Sequence, residues 1–237
     1  MANVYLIRHG QASWGKSNYD QLSELGAQQG RILGQHWQYY GKTDVCYAGG
    51  MLRHNQTADA FWQGAGQTMP VNNHEGLNEF DHLDVLKCYN PDWHNQYAFT
   101  AFLKQQEHPN QAFITEFSQA LRRWANGDAD DYKESFLNFK KRCVKAIDDI
   151  KAQVEMVEQL TPEKQSKNIL VFTSGGVISA ICAHYWQLPD HQLMQLNQQL
   201  VNTSVTKLMF NKDKTSVDMI NNYSHLELAG NDLVTRK

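Results

Sequence analysis

The sequence predicts an α/β fold: a three-layer sandwich with a mostly parallel central sheet flanked by helices, plus a mainly helical insertion capping one end of the sheet. Three observations carry that expectation. Val4-Tyr5-Leu6-Ile7 and Ile169-Leu170-Val171-Phe172 are short continuous apolar runs, as strands buried on both faces require. Each run breaks off into glycine-containing polar sequence, Arg8-His9-Gly10 and Ser174-Gly175-Gly176. Between and after them, strand-like and helix-like segments alternate, the pattern of layered α/β domains.

The elements follow in order. Ser23 is suited to N-cap a helix whose apolar positions Leu25, Ile32, Leu33 and Trp37 recur at roughly helical spacing. Gly26, Gly30 and Gly34 lie four apart on one face, which predicts close packing of that helix on the sheet despite their helix cost. Asp44 to Tyr47 reads as a second short strand, and Leu52 to Trp62 as a helix. After the third strand, within Lys167 to Thr173, a helix from Gly176 to Trp186 turns Ile178, Ile181, Cys182 and Tyr185 inward. Val205 to Phe210 and Thr215 to Ile220 read as a closing hairpin around Asn211-Lys212-Asp213-Lys214.

The 237 residues suit one domain, 1–237, with an insertion over about 83–131. That stretch is rich in aromatic, His and Gln residues, has helical patches at Ala98 to Gln106 and Phe113 to Asn126, and ends in the acidic loop Asp128 to Asp131. A long amphipathic helix follows from Glu134 towards Leu160, then a polar link from Thr161 to Asn168. Within the insertion, Tyr89, Trp93, Tyr97, Phe99 and Phe102 can line a pocket or form a local core, and the core is the commoner fate of aromatics.

A net charge of −3 gives no reason to expect nucleic-acid binding. Strand-like sequence begins by Asn3 and no apolar stretch reaches membrane length, so the expectation is a cytoplasmic protein with no membrane partner. The four scattered cysteines, Cys46, Cys88, Cys143 and Cys182, read as reduced thiols. The hairpin leaves an edge strand suited to pairing with a second copy as a homodimer.

Chemistry concentrates at strand ends, where ligands bind in open α/β sheets. Arg8 can fork two donors onto an anion, His9 can attack or carry protons, and Gly10 lets backbone come close to a ligand. Arg53, at a helix start after Ala48-Gly49-Gly50, reads equally as a surface residue or as a second clamp on a phosphoryl group. Glu79, in Leu77-Asn78-Glu79-Phe80-Asp81, reads on its own as a solvated loop carboxylate. His74, His82 and His94 lack ligand spacing, so no metal site is expected.

Together these segments resemble the histidine phosphatase superfamily, the phosphoglycerate-mutase-like fold, over essentially the whole chain. Tyr5 to Gln11 is similar to its nucleophile motif, and Leu22-Ser23-Glu24-Leu25-Gly26 with Gln29 to its first helix start. Leu52 to Ala58 resembles the second-arginine motif, Leu77 to Asp81 the acid-bearing segment, and Asn202 to Thr206 with Asn222 to Leu226 the closing strands. Glu134-Ser135-Phe136 with Arg142 resembles a helix start common in the family. The resemblance implies a phosphatase acting on a small phosphorylated substrate, without metal or cofactor. His9 would form a phosphohistidine, Arg8 and Arg53 would hold the phosphoryl oxygens, and Glu79 would protonate the leaving alcohol. Gly10, Gln11 and Ser174 would complete substrate binding.

The pattern breaks at Thr173-Ser174-Gly175-Gly176, where the family usually has a histidine at the position of Ser174. A hydroxyl can donate to a phosphoryl oxygen but brings no charge, which implies at least about a tenfold loss of rate. Ala12 and Gly15, and the Gly49-Gly50 lead-in to Arg53, also depart from it. A phosphatase with a retuned pocket, His9, Arg8, Arg53 and Glu79 all being present, is the preferred reading. A catalytically weak binder of phospho-ligands is the alternative, a phosphoglycerate-type mutase comes behind it, and a serine hydrolase with Ser174, Asp218 and His225 comes last. That last motif wants a glycine where Phe172 stands.

Overall fold

The computed structural model describes residues 2–13, 20–127, 130–160, 166–211 and 214–236. Its sheet contains β1 (Ala2–Arg8), β2 (Val45–Ala48), β3 (Val71–Asn73), β4 (Lys167–Thr173), β5 (Val205–Phe210) and β6 (Thr215–Asn222). The helices among the described residues are α1 (Glu24–His36), α2 (Leu52–Ala65), α3 (His82–Tyr89), α4 (Gln96–Lys104), α5 (Pro109–Asn126), α6 (Phe136–Leu160), α7 (Gly175–Trp186), α8 (Asp190–Gln199) and α9 (Ser224–Ala229). The strand order is β3-β2-β4-β1-β5-β6. The four strands from β3 to β1 run parallel, and β5 and β6 add an antiparallel edge.

The two apolar runs are neighbours: Val4 pairs with Ile169, Tyr5 with Leu170 and Leu6 with Val171. β5 covers the other side of β1, so its edges are both paired and its faces both buried, as an unalternating apolar strand demands. On one face Tyr5, Ile7, Leu170 and Phe172 pack with Leu33, Trp37 and Phe61. α7 is apolar on every side because every residue from Gly175 to Ala183 is buried, Ile178, Ile181 and Cys182 among them. Tyr185 is only half-buried.

Ser23 N-caps α1 by accepting the Gly26 N–H at 3.0 Å. The glycine stripe differs from expectation in its partner: Gly30 and Gly34 face α2 rather than the sheet. A Cβ on Gly30 would sit 2.9 Å from the Ala60 Cβ, and one on Gly34 would collide with the Phe61 carbonyl oxygen. Each glycine costs roughly 1 kcal/mol of helix propensity relative to alanine, offset by the dispersion contacts of two closely spaced backbones. α2 stops at Gly66, whose φ of 63° is left-handed and suits a residue without a Cβ.

The chain divides into two compact units, Met1–Glu79 with Cys143–Lys237, and Phe80–Arg142. The second is helical and spans residues 83–131. Its aromatics form a local core: Trp93 meets Phe99 at 4.8 Å and Phe102 at 4.9 Å, and Trp124 meets Phe136 at 4.9 Å. Tyr97 is 85% exposed and takes no part. Glu134 and Arg142 form a two-pronged ion pair, and Ser135 accepts the Asn138 N–H at the start of α6, so this segment is structural. The acidic loop lies partly, and the link after Leu160 mostly, outside the described residues. No described helix is long and apolar enough to cross a membrane.

Candidate active site

β1 and β4 end side by side, and the site is built on their carboxyl ends. Arg8 pairs with Thr173, and the His9 N–H donates to the Thr173 carbonyl at 2.8 Å. A buried polar shelf supports the other side of this turn. Thr203 N–H donates to the Arg8 carbonyl at 3.0 Å, and Asn202 Nδ2 to the His9 carbonyl at 3.1 Å. The backbone of Arg8 and His9 is thus fixed from both sides.

His9 is only 6% exposed. Its Nδ1 lies 2.8 Å from the Gly10 carbonyl oxygen, which can only accept, so Nδ1 carries the ring hydrogen and Nε2 keeps its lone pair. Burial, then the Arg53 and Arg8 guanidinium groups and the His54 ring, hold the imidazole well below the usual histidine range. A neutral imidazole with its Nε2 lone pair beside two arginines can attack an electrophilic centre while an anion sits against the guanidinium groups.

Arg53 enters from the first turn of α2. Its Nη1 donates to Asp20 at 2.7 Å, and Asp20 also accepts the Leu52 N–H, standing in for the missing side-chain cap of α2. Its Nη2 lies 3.5 Å from Ser174 Oγ. Arg8 Nη1 donates to the Leu200 carbonyl, and its Nε would sit 3.4 Å from a Cβ on Gly175, at the N-terminus of α7. Both guanidinium groups therefore border the same helix start, where backbone N–H groups favour negative charge.

Glu79 reaches that start as well. Its Oε2 accepts the Gly176 N–H at 3.0 Å, and a Cβ at position 176 would strike the carboxylate. Of the other expected binding residues, Gln11 turns its Oε1 to the Ser23 hydroxyl at 2.9 Å. The close approach that Gly10 permits is to Gly26 of α1, whose carbonyl oxygen a Cβ would hit. Ser174 is fully buried directly after β4. The hydrolase triad does not assemble, because His225 pairs with Thr203 at 3.1 Å and Asp218 with Lys207 at 2.9 Å. His74 accepts the Gly76 N–H, and no cluster of three or more His, Cys, Asp or Glu suited to a metal occurs among the described residues.

A sequence model of the histidine phosphatase superfamily (branch 1) matches residues 4–223. The chain belongs to that superfamily. No curated protein matches it by sequence. Solved structures share the fold at low identity. A mycobacterial glucosyl-3-phosphoglycerate phosphatase superposes with a TM-score of 0.63 at 18% identity, over 93% of this chain and 99% of that one. A phosphoserine phosphatase from Entamoeba histolytica, bound to 3-phosphoglyceric acid, gives 0.64 at 18%, over 95% and 99%. A phosphoglycerate mutase from Bacillus anthracis gives 0.61 at 16%, over 94% of each chain. Phosphatases and a mutase thus share one scaffold.

Within this superfamily scaffold, two features escaped sequence reasoning. One is the shelf of Asn202 and Thr203, where the φ of 58° at Thr203 aims its N–H at the turn. The other is His54, wholly buried, with Nε2 2.6 Å from Ser174 Oγ and its ring 5.8 Å from that of His9. Its position one residue after Arg53, with Gly49 ahead of it, was the available signal.

Proposed function

We propose that this protein is a phosphatase that hydrolyses phosphate monoesters through a phosphohistidine on His9. The observation that carries this reading is the neutral His9 ring, hydrogen held on Nδ1 by Gly10, beside Arg8 and Arg53. In the first step Nε2 attacks phosphorus as the ester P–O bond breaks, and Glu79 gives its proton to the departing alkoxide. In the second, Glu79 takes a proton from water, the water oxygen attacks phosphorus, and the N–P bond breaks to release inorganic phosphate. Arg8 and Arg53 stabilise the charge on the equatorial oxygens in both displacements.

The substrate class is a small phosphorylated molecule, in keeping with neighbours named for phosphoserine and glucosyl-3-phosphoglycerate. Turnover of an aryl phosphate by wild type and His9→Ala tests the reading. Activity that disappears with His9 supports it. Equal rates in both would remove His9 as nucleophile, and phosphate binding without turnover would favour a recognition protein instead.

A further inference from the structure

We propose that Gln29 is a positioning residue that sets the tautomer of His9, held in place by Thr235 of the C-terminal segment, an inference that rests on the phosphatase reading above. The Gly10 carbonyl, which receives the His9 Nδ1 hydrogen, shares one planar peptide with the Gln11 N–H. The two groups point in opposite directions, so whatever holds the N–H also aims the carbonyl. Gln29 holds it: the Gln11 N–H donates to Gln29 Oε1 at 2.9 Å.

The Gln29 side chain is itself fixed. It is fully buried, and its Nε2 donates to the Leu233 carbonyl at 2.7 Å and to Thr235 Oγ1 at 2.9 Å. The orientation of the amide is forced, because a peptide N–H only donates and a peptide carbonyl only accepts. The Thr235 hydroxyl donates in turn to Asn202 Oδ1 at 2.8 Å, and Asn202 Nδ2 to the His9 carbonyl at 3.1 Å. The bonds therefore run from Gln11 through Gln29, Thr235 and Asn202 back to His9, each member donating to the next. Such a run polarises cooperatively, and it closes around Gly10.

The chemistry at stake is the lone pair on His9. A neutral imidazole carries its hydrogen on one nitrogen and its lone pair on the other. Were the Gly10 carbonyl to turn away, the hydrogen would be free to sit on Nε2, which would then lack the electrons that attack requires. Gln29 entered the sequence reading only as part of a helix start; its side chain reaches the turn that carries His9.

The test uses Gln29→Met, which keeps the length and removes the amide, beside Thr235→Val and Thr235→Ser. The His9 ring is followed by nitrogen NMR in protein with isotope-labelled histidine, assigned by its loss in His9→Ala, with kcat and KM measured on an aryl phosphate. Wild type is expected to show a hydrogen-bearing Nδ1 and a bare Nε2. Gln29→Met should populate the Nε2–H form and lower kcat about tenfold with KM within about threefold, the effect of one lost neutral hydrogen bond. Thr235→Val, which leaves Gln29 the Leu233 carbonyl, should move the ring the same way and lower kcat about threefold, and Thr235→Ser should restore wild-type values. Unmoved nitrogen shifts in Gln29→Met overturn the proposal and leave a His9-dependent phosphatase standing. Thr235→Val that loses stability in urea yet keeps the wild-type ring and kcat overturns it too, and that pair decides the matter if Gln29→Met does not fold. If the ring responds as expected in protein that turns over no aryl phosphate, the positioning role stands and the hydrolysis reading falls.

Discussion

The Thr57 hydroxyl accepts the Gly10 N–H at 3.1 Å while donating to the Arg53 carbonyl at 2.6 Å. One side chain therefore ties the turn that carries His9 to the helix that carries Arg53. Thr57→Val keeps the shape and removes the acceptor, leaving a buried N–H without a partner. The expected result is a loss of about 1–3 kcal/mol in urea denaturation and a fall in kcat larger than any rise in KM.

Glu79 predicts a dependence on the leaving group. Glu79→Gln should lower kcat/KM for esters of alkyl alcohols by about 10²-fold and for aryl phosphates much less, because a phenolate departs without a proton. Gly176→Ala, whose Cβ would strike the carboxylate, should reproduce that selectivity in part. Equal losses on both ester types would remove Glu79 as the general acid.

Three buried histidines predict acid sensitivity. Burial and neighbouring cations hold His9 and His54 well below the usual range, and burial beside His36 pushes His225 down to about 3. Below pH 6.5 the unfolded chain binds these protons and the folded chain does not, so stability falls as pH drops from 6.5 toward the folded values. Each contributes a slope of at most about 1.4 kcal/mol per pH unit. Urea midpoints measured from pH 8 to 5 should decline below 6.5, and His225→Asn should flatten the decline. A profile unchanged by that substitution would contradict the assignment for His225.

Placing histidine at position 174 is a sharper case than the sequence suggests. Read alone, Ser174 implies that an imidazole there would restore a missing charge and raise turnover. His54 Nε2 already lies 2.6 Å from Ser174 Oγ, so a second ring has no room. Ser174→His should lower stability by about 1–3 kcal/mol and reduce kcat, and adding His54→Ala should recover much of both. Higher kcat in the single variant would show that the pocket can open.

Much of the fold was legible because β1 and β4 are unalternating apolar runs and α1, α2 and α7 start at recognisable polar or glycine signals. β3, α8 and α9 were not: Val71 to Asn73 is too short and polar to stand out, and α8 is mainly polar. The α1 glycines announced close packing, but a stripe of small residues does not say whether a sheet or a helix fills it. Arg8, His9, Arg53 and Glu79 were picked out as candidates by type and order. Which of their neighbours supports them was not, since Ser174 and His54 lie 120 positions apart and meet only through the pairing of β2 with β4.

The proposed covalent intermediate on His9 is tested most directly by rapid quenching of the enzyme with phosphorus-labelled aryl phosphate, followed by peptide mapping. An acid-labile, base-stable label is expected on the peptide carrying His9, absent from His9→Ala and prolonged in Glu79→Gln. Label on another residue, or undiminished label in His9→Ala, would contradict it.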